Sequence, residues 1–169
     1  MFAEDTPWHT PWMKRVLPCV EAIVASRPDR TIFTRFMPPN QPEEMTGSWR
    51  RYFDRWREMT RSCIDPRLLD LVEPLQRFVP PAAVLDKSFY SPFHATALSA
   101  TLRTRECDTV VISGAETDMC VLSTVLDAVD LGVRVVLPVD ALDAGQDLEQ
   151  LQGSESSPPS GLVELLPPT

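Results

Sequence analysis

The chain has 169 residues, 43% hydrophobic and 24% charged, enough to bury one core and short for two. Sixteen Lys and Arg against 24 Asp and Glu leave a formal net charge of −8; that field repels phosphate backbones and anionic headgroups, excluding nucleic acid and a membrane surface as partners. No apolar run approaches the ~20 residues that span a bilayer. The opening MFAEDTPWHTPW lacks the basic-then-apolar plan of a secretory signal, so the expectation is a cytoplasmic protein. Cys19, Cys63, Cys107 and Cys120 are scattered without a Cys-x-x-Cys pair, which reads as free thiols, not as a zinc site or a disulfide framework.

In chain order, Trp12 to Ser26 carries Val16, Val20, Ile23 and Val24 at helical spacing, with Pro18 expected in the first turns. The β-branched and aromatic Thr31-Ile32-Phe33-Thr34 predicts a short strand, ended by the proline-rich loop Met37 to Gly47, which is expected to line a pocket mouth. Ser48 to Thr60 places Trp49, Tyr52, Phe53 and Trp56 on one face of an amphipathic helix, covering a core or a partner subunit. A helical piece around Pro66 to Phe78 follows, then a buried strand over Ala82 to Asp86 ending at Lys87, and a helix over Pro92 to Arg105.

The clearest unit is Asp108–Ser113 as a strand, Gly114–Thr117 as a turn, Asp118–Leu131 as a helix and Val133–Val139 as a further strand. Strands rich in Val and Ile, alternating with amphipathic helices, predict an α/β fold: a mostly parallel, Rossmann-like sheet in a three-layer α/β/α arrangement. Residues 1–142 would form that domain. Residues 143–169, where Gly153 to Gly161 is almost entirely Gly, Ser and Pro, would form a disordered tail, with a short helix near Asp147 to Leu151.

Cys120 falls at the start of the helix whose inward stripe is read as Leu122, Val125, Leu126 and Val129. First-turn amides and the helix dipole favour a thiolate there and supply donors to an oxyanion. In open α/β sheets the loop after a strand's carboxyl end is also where ligands bind. Thr117 and Asp118 read as helix caps.

The segment from Val110 to Leu142, with its Gly-x-x-Thr-x-x-Cys turn at Gly114–Cys120 and its Ala-x-x-x-Gly at Ala128–Gly132, resembles the signature of isochorismatase-like cysteine hydrolases. Thr34-Arg-Phe-Met-Pro-Pro, the Trp49–Trp56 helix and Leu85-Asp-Lys-Ser-Phe-Tyr-Ser-Pro-Phe93 extend the likeness over most of residues 1 to 142. The resemblance is to plain hydrolases of the family, not to its metal-dependent nicotinamidases; Asp5 and His9 have the wrong spacing for those enzymes' metal pair, and His9 and His94 read as loop or surface residues. It implies Cys120 as the nucleophile, Lys87 beside it holding the thiol pKa down, a non-proline cis peptide between Ala115 and Glu116, and an oxyanion hole made by the Glu116 and Cys120 amides. It also implies a small amide or related substrate, no cofactor or metal, and a homo-oligomer with the Trp49–Trp56 helix as candidate interface. The family's general-base aspartate lies in a first strand of pattern apolar-apolar-x-Asp-x-Gln. Met1 to Asp5 resembles the loop after that strand, so neither Glu4 nor Asp5 matches the base. Two further expectations stand beside the enzyme: a non-catalytic homologue or fragment that keeps the scaffold, and a thiol sensor pairing Cys120 with Cys107 or Cys63.

Overall fold

A computed structural model describes residues 1–2, 6–10, 13–143 and 162–165. Helix α1 (Met13–Ser26) buries Val16, Val20 and Val24 and carries Pro18 in its second turn. Strand β1 (Ile32–Phe36) follows, and beyond a proline-rich loop comes α2 (Gly47–Arg55). The expected helix over 66–78 is broken into a 3-10 turn at Pro66–Leu69 and the four-residue α3 (Glu73–Gln76). Strand β2 (Ala83–Lys87) leads to α4 (Leu98–Thr104), shorter than the Pro92–Arg105 expected, because residues 92–97 form turns in which Thr96 Oγ1 donates to the Pro92 carbonyl. Then come β3 (Thr109–Val111), β4 (Gly114–Ala115), α5 (Leu122–Asp130), β5 (Arg134–Pro138) and β6 (Leu142–Asp143). In the stretch expected to be a tail, Leu162–Leu165 forms β7. The short helix expected near 147–151 lies outside the described residues.

Parallel pairing dominates, as in an α/β fold. Strands β1 and β2 pair in parallel with Phe36 opposite Lys87, β3 pairs in parallel with β5, and β4 pairs in parallel with β6. Among the described residues only β7, against β5, is antiparallel. Among the described residues β1–β2 and β3–β5 are separate sheets. That explains why β2, expected to be buried, has exposed positions at Ala83, Val84 and Asp86, with only its last residue, Lys87, buried.

The β1–β2 register is clamped by a two-pronged ion pair between facing residues: Arg35 Nε and Nη2 donate to Asp86 Oδ1 and Oδ2 at 2.8 and 3.1 Å. Arg35 Nη1 reaches Asp70 as well, at 3.1 Å.

Three apolar clusters hold these pieces. Helix α1 packs Val20 and Val24 with Phe33, Leu75, Ala82 and Ala141, so it bridges β1 to the start of β6. A second cluster centres on Phe36, Phe53, Met59 and Ile64, with Trp8, Trp49 and Tyr52 against it. The third joins α5 to β5 through Val121, Val125, Ala128 and Val135. In α5 the inward stripe differs from the expected one: Leu122 and Leu126 are 49% and 57% exposed, while Val121, Val125 and Ala128 face in. The cause is the wider π-turn at Thr117–Val121, closed by the Val121 N–H on the Glu116 carbonyl, which rotates the phase of the helix that follows.

Phe53 is fully buried and meets Trp8, Trp49 and Tyr52 with ring centroids 6.3, 6.1 and 5.3 Å away. Truncating Phe53→Ala should lower the unfolding free energy by about 3–5 kcal/mol, with Phe53→Leu losing less. Urea denaturation followed by tryptophan emission checks this; an unchanged midpoint would show that this aromatic cluster does not hold the fold.

Candidate active site

Three segments converge where parallel strands end. Lys87 is the last residue of β2, Phe36 is its register partner at the end of β1, and Cys120 sits in the π-turn after β4. Backbone pairing continues past the strand ends, with the Met37 N–H donating to the Lys87 carbonyl at 2.7 Å.

Lys87 is 5% exposed. A buried ammonium requires acceptors for its protons, and Lys87 Nζ has three: the Phe89 carbonyl at 3.1 Å, the Tyr90 carbonyl at 2.6 Å and Cys120 Sγ at 3.3 Å. Its fourth neighbour is the Phe36 ring, whose centroid lies 5.5 Å away. The loop 88–91 after β2 therefore solvates the lysine and aims its charge at the sulfur.

Cys120 is 9% exposed. Burial pushes its thiol above the ordinary value of 9.0, and the nearby Glu116 charge adds to that; the Lys87 charge, the Lys87 hydrogen bond and a backbone hydrogen bond from Glu116 oppose it without winning. The depressed thiol expected from sequence is thus reversed, because the helix-start position is also an apolar one. The Ala115–Glu116 peptide is cis, following Gly114 at φ 104, a backbone angle that favours glycine. Thr117 and Asp118 lie inside the π-turn; the cap position is Glu116, and no side chain caps it. They are therefore not the capping residues expected, since the turn begins one residue earlier than the sequence suggested.

Cys120 opens onto a small pocket. Its walls are aromatic: Phe2, Trp8, Phe36, Trp49, Tyr52 and Tyr90. Among the described residues that line it, Glu116 is the one carboxylate. Burial raises the Tyr52 and Tyr90 hydroxyls above their ordinary value of 10.0, helped by the negative charge of Glu116 and of Cys120, so both stay protonated. Trp49 and Tyr90 touch with ring centroids 4.9 Å apart, and Trp8 stacks on Tyr52 at 5.8 Å. The Trp8 indole Nε1 is buried without a hydrogen-bond partner among the described residues, so packing alone holds that ring.

Lys87, Cys120 and Glu116 are thus brought together. The Met37–Gly47 loop is not among the lining residues: Asn40 is tied to Glu44, and the Arg61 N–H reaches the Pro39 carbonyl at 2.9 Å, which draws the loop toward residues 60–62. The aromatic face of α2 is used inside the molecule, with Phe53 buried and Trp49 and Tyr52 on the pocket wall, leaving Arg50, Arg51 and Arg55 outward. His94 is an exposed residue set edge-on to Phe89 at 4.6 Å, and the described residues contain no cluster of metal-ligating side chains. All four cysteines are free thiols. Glu4 and Asp5 lie outside the described residues. Phe2, Trp8 and Tyr90 were not singled out from sequence; an aromatic residue there looks like any core residue until the pocket is seen.

The isochorismatase domain model matches residues 1–156. The chain belongs to the isochorismatase family. A maleamate amidohydrolase from Pseudomonas putida is 38% identical over 80 residues, which are 43% of this chain and 38% of that protein. The chain therefore matches well under half the length of that curated relative. The crystal structure of a cysteine hydrolase from Pseudomonas syringae pv. phaseolicola 1448A has a TM-score of 0.68 at 25% identity, covering 85% of this chain and 67% of that one. An N-carbamoylsarcosine amidase from Thermoplasma acidophilum gives 0.68 at 24% identity over 87% of this chain and 80% of that one, a likeness of fold. No helix among the described residues is long and apolar enough to cross a membrane.

The sign of the thiol shift is open to direct test in this family member. Alkylation of Cys120 by iodoacetamide, followed by peptide mass spectrometry, should rise with pH to a midpoint above 9.0, the ordinary thiol value. Lys87→Met removes the charge that favours the thiolate and should move the midpoint higher still. A midpoint below the ordinary value, or one indifferent to Lys87→Met, would contradict the balance of burial and charge described above.

Proposed function

We propose that this chain hydrolyses a small amide by nucleophilic catalysis at Cys120. The observation that carries the reading is the 3.3 Å contact between the buried Lys87 ammonium and Cys120 Sγ beside an aromatic pocket. In the reactive form the pair is a thiolate next to an ammonium. The sulfur attacks the amide carbonyl carbon and a C–S bond forms. The oxygen becomes an oxyanion facing the backbone N–H groups of Glu116 and Cys120. As the intermediate collapses the C–N bond breaks, and the departing amine takes a proton from the Lys87 ammonium, leaving a thioester and a neutral lysine. Water attacks the thioester; Lys87 takes one of its protons, the carboxylic acid leaves with the other, and the thiolate–ammonium pair is restored. The amidohydrolase and amidase names of the relatives support an amide as the substrate class.

A second reading, a non-catalytic homologue that keeps the scaffold, is favoured by one observation: burial raises the Cys120 thiol, so little thiolate is present at neutral pH. The two readings separate in one assay. Ammonia release from a panel of primary amides should rise with pH as the thiolate forms, and Cys120→Ala should reduce it on the order of a thousandfold or more. A folded wild-type chain that releases no ammonia from any amide, or a Cys120→Ala variant as active as wild type, would sink the hydrolase reading.

A further inference from the structure

We propose that Trp8 is the gate of the Cys120 pocket: its indole closes the entrance in the resting chain and swings out to admit substrate. The proposal rests on the amide hydrolase reading for what enters, while the gate itself does not.

Three observations lead there. First, the pocket is too small for its task. Its free volume is about 50 Å³, whereas a benzene-sized guest fills a cavity of about 150 Å³. An amide of that size reaches the sulfur, itself 9% exposed, only after a wall has moved.

Second, the other described walls are committed. Phe36 ends β1 in register with Lys87. Trp49 and Tyr52 stand on α2 against Phe53, which has no exposure. Tyr90 lends its carbonyl to Lys87 Nζ at 2.6 Å, and displacing it would strip an acceptor from a buried ammonium. Phe2 is pinned through its carbonyl, which accepts from the N–H and Oγ1 of the fully buried Thr10 at 2.8 and 3.2 Å. Glu116 and Cys120 belong to the turn that carries the nucleophile. Trp8 lies in neither helix nor strand. It rides on a tight turn in which the His9 N–H donates to the Thr6 carbonyl at 3.0 Å and the Trp8 N–H donates to Thr6 Oγ1 at 3.2 Å. Rotating the indole leaves both bonds intact.

Third, the buried Trp8 Nε1 has no hydrogen-bond partner among the described residues. A buried donor without an acceptor costs free energy, which water restores once the indole is exposed. Ring contacts oppose the departure: Phe2, Phe36, Tyr52 and Phe53 lie with centroids 6.4, 6.1, 5.8 and 6.3 Å from Trp8. Closed is therefore the resting state. Opening is a local equilibrium, which a substrate shifts by taking the ring contacts that the indole gives up.

Alkylation reads the gate without turnover. Iodoacetamide and its bulky relative 2-iodo-N-phenylacetamide carry the same reacting carbon, and peptide mass spectrometry gives the rate of each at every cysteine at one alkaline pH. In the wild type the phenyl reagent should lag at Cys120 far more than at exposed Cys63. Trp8→Ala should speed the phenyl reagent at Cys120 about tenfold or more, with little change at the half-buried Cys19 and Cys107. Equal discrimination in the two proteins overturns the gate. So does a rise as large at Cys19 and Cys107, which would mean that the ring holds the fold and not the entrance. The wild type supplies a second reading, because its Trp8 indole N–H is identified in heteronuclear NMR spectra by its absence from Trp8→Phe. That proton should exchange slowly with solvent in the free chain and fast once Cys120 carries the phenyl group; equal protection in both overturns the gate as well. A chain that meets these expectations yet releases ammonia from no amide keeps the gate and loses the hydrolase reading. One that hydrolyses amides without any discrimination that depends on Trp8 loses the gate alone.

Discussion

A buried ammonium organises this molecule. Moving an amine-sized charge out of water costs several kcal/mol even after relaxation, so it persists only where every proton finds an acceptor. At Lys87 that requirement recruits two carbonyls from the loop after β2 and the sulfur of the turn after β4. Segments distant in sequence are thereby tied at one point. The facing Arg35–Asp86 pair holds the β1–β2 register that brings Phe36 under the ammonium. The surface ion pair and the buried contact differ in kind. The first sets alignment at an exposed edge, where screening keeps its energy small; the second joins the loop after β2 to the turn after β4.

Two opposing effects meet at the sulfur, and their order matters. Burial in apolar surroundings penalises the thiolate, and a nearby cation favours it. From sequence, Cys120 at a helix start and Lys87 after a strand suggested only the favourable side, because motif and dipole are visible in a linear chain and solvent exclusion is not. At 9% exposure the penalty is the larger effect. The same burial strengthens every charge interaction inside the pocket, including the one between Lys87 and the sulfur. A thiol that is hard to ionise in the resting chain is compatible with a reaction in which the charge moves onto a substrate oxygen faced by backbone N–H groups.

Much of the architecture could be read from the residues. The strand–turn–helix–strand unit from residue 108 onward carried both the parallel pairing and the place of Cys120. Lys87 followed from its resemblance to the family's motif after a strand, and the α2 aromatic face from its spacing. What could not be read depended on tertiary context. The π-turn at Thr117–Val121 shifted the α5 stripe from Leu122 and Leu126 to Val121 and Ala128, a change of phase that no hydrophobic pattern encodes. The loop 37–47 looked like a pocket mouth because it is rich in proline, yet its hydrogen bonds draw it elsewhere. Strand β7 arose in a segment of coil-like composition, because β5 offers an edge to pair with.

The aromatic cluster also links the core to the pocket wall. Phe53 has no exposure and supports Trp8, Trp49 and Tyr52, whose other surfaces line the pocket. One cluster therefore acts as hydrophobic core on one side and as pocket wall on the other. Trp49 and Tyr52, held on α2 by that packing, cannot easily rotate away from a ligand, so the entropy of ordering them is already lost on folding and not on binding. In the resting structure the Lys87 ammonium is committed to its own acceptors, the Phe89 and Tyr90 carbonyls and Cys120 Sγ.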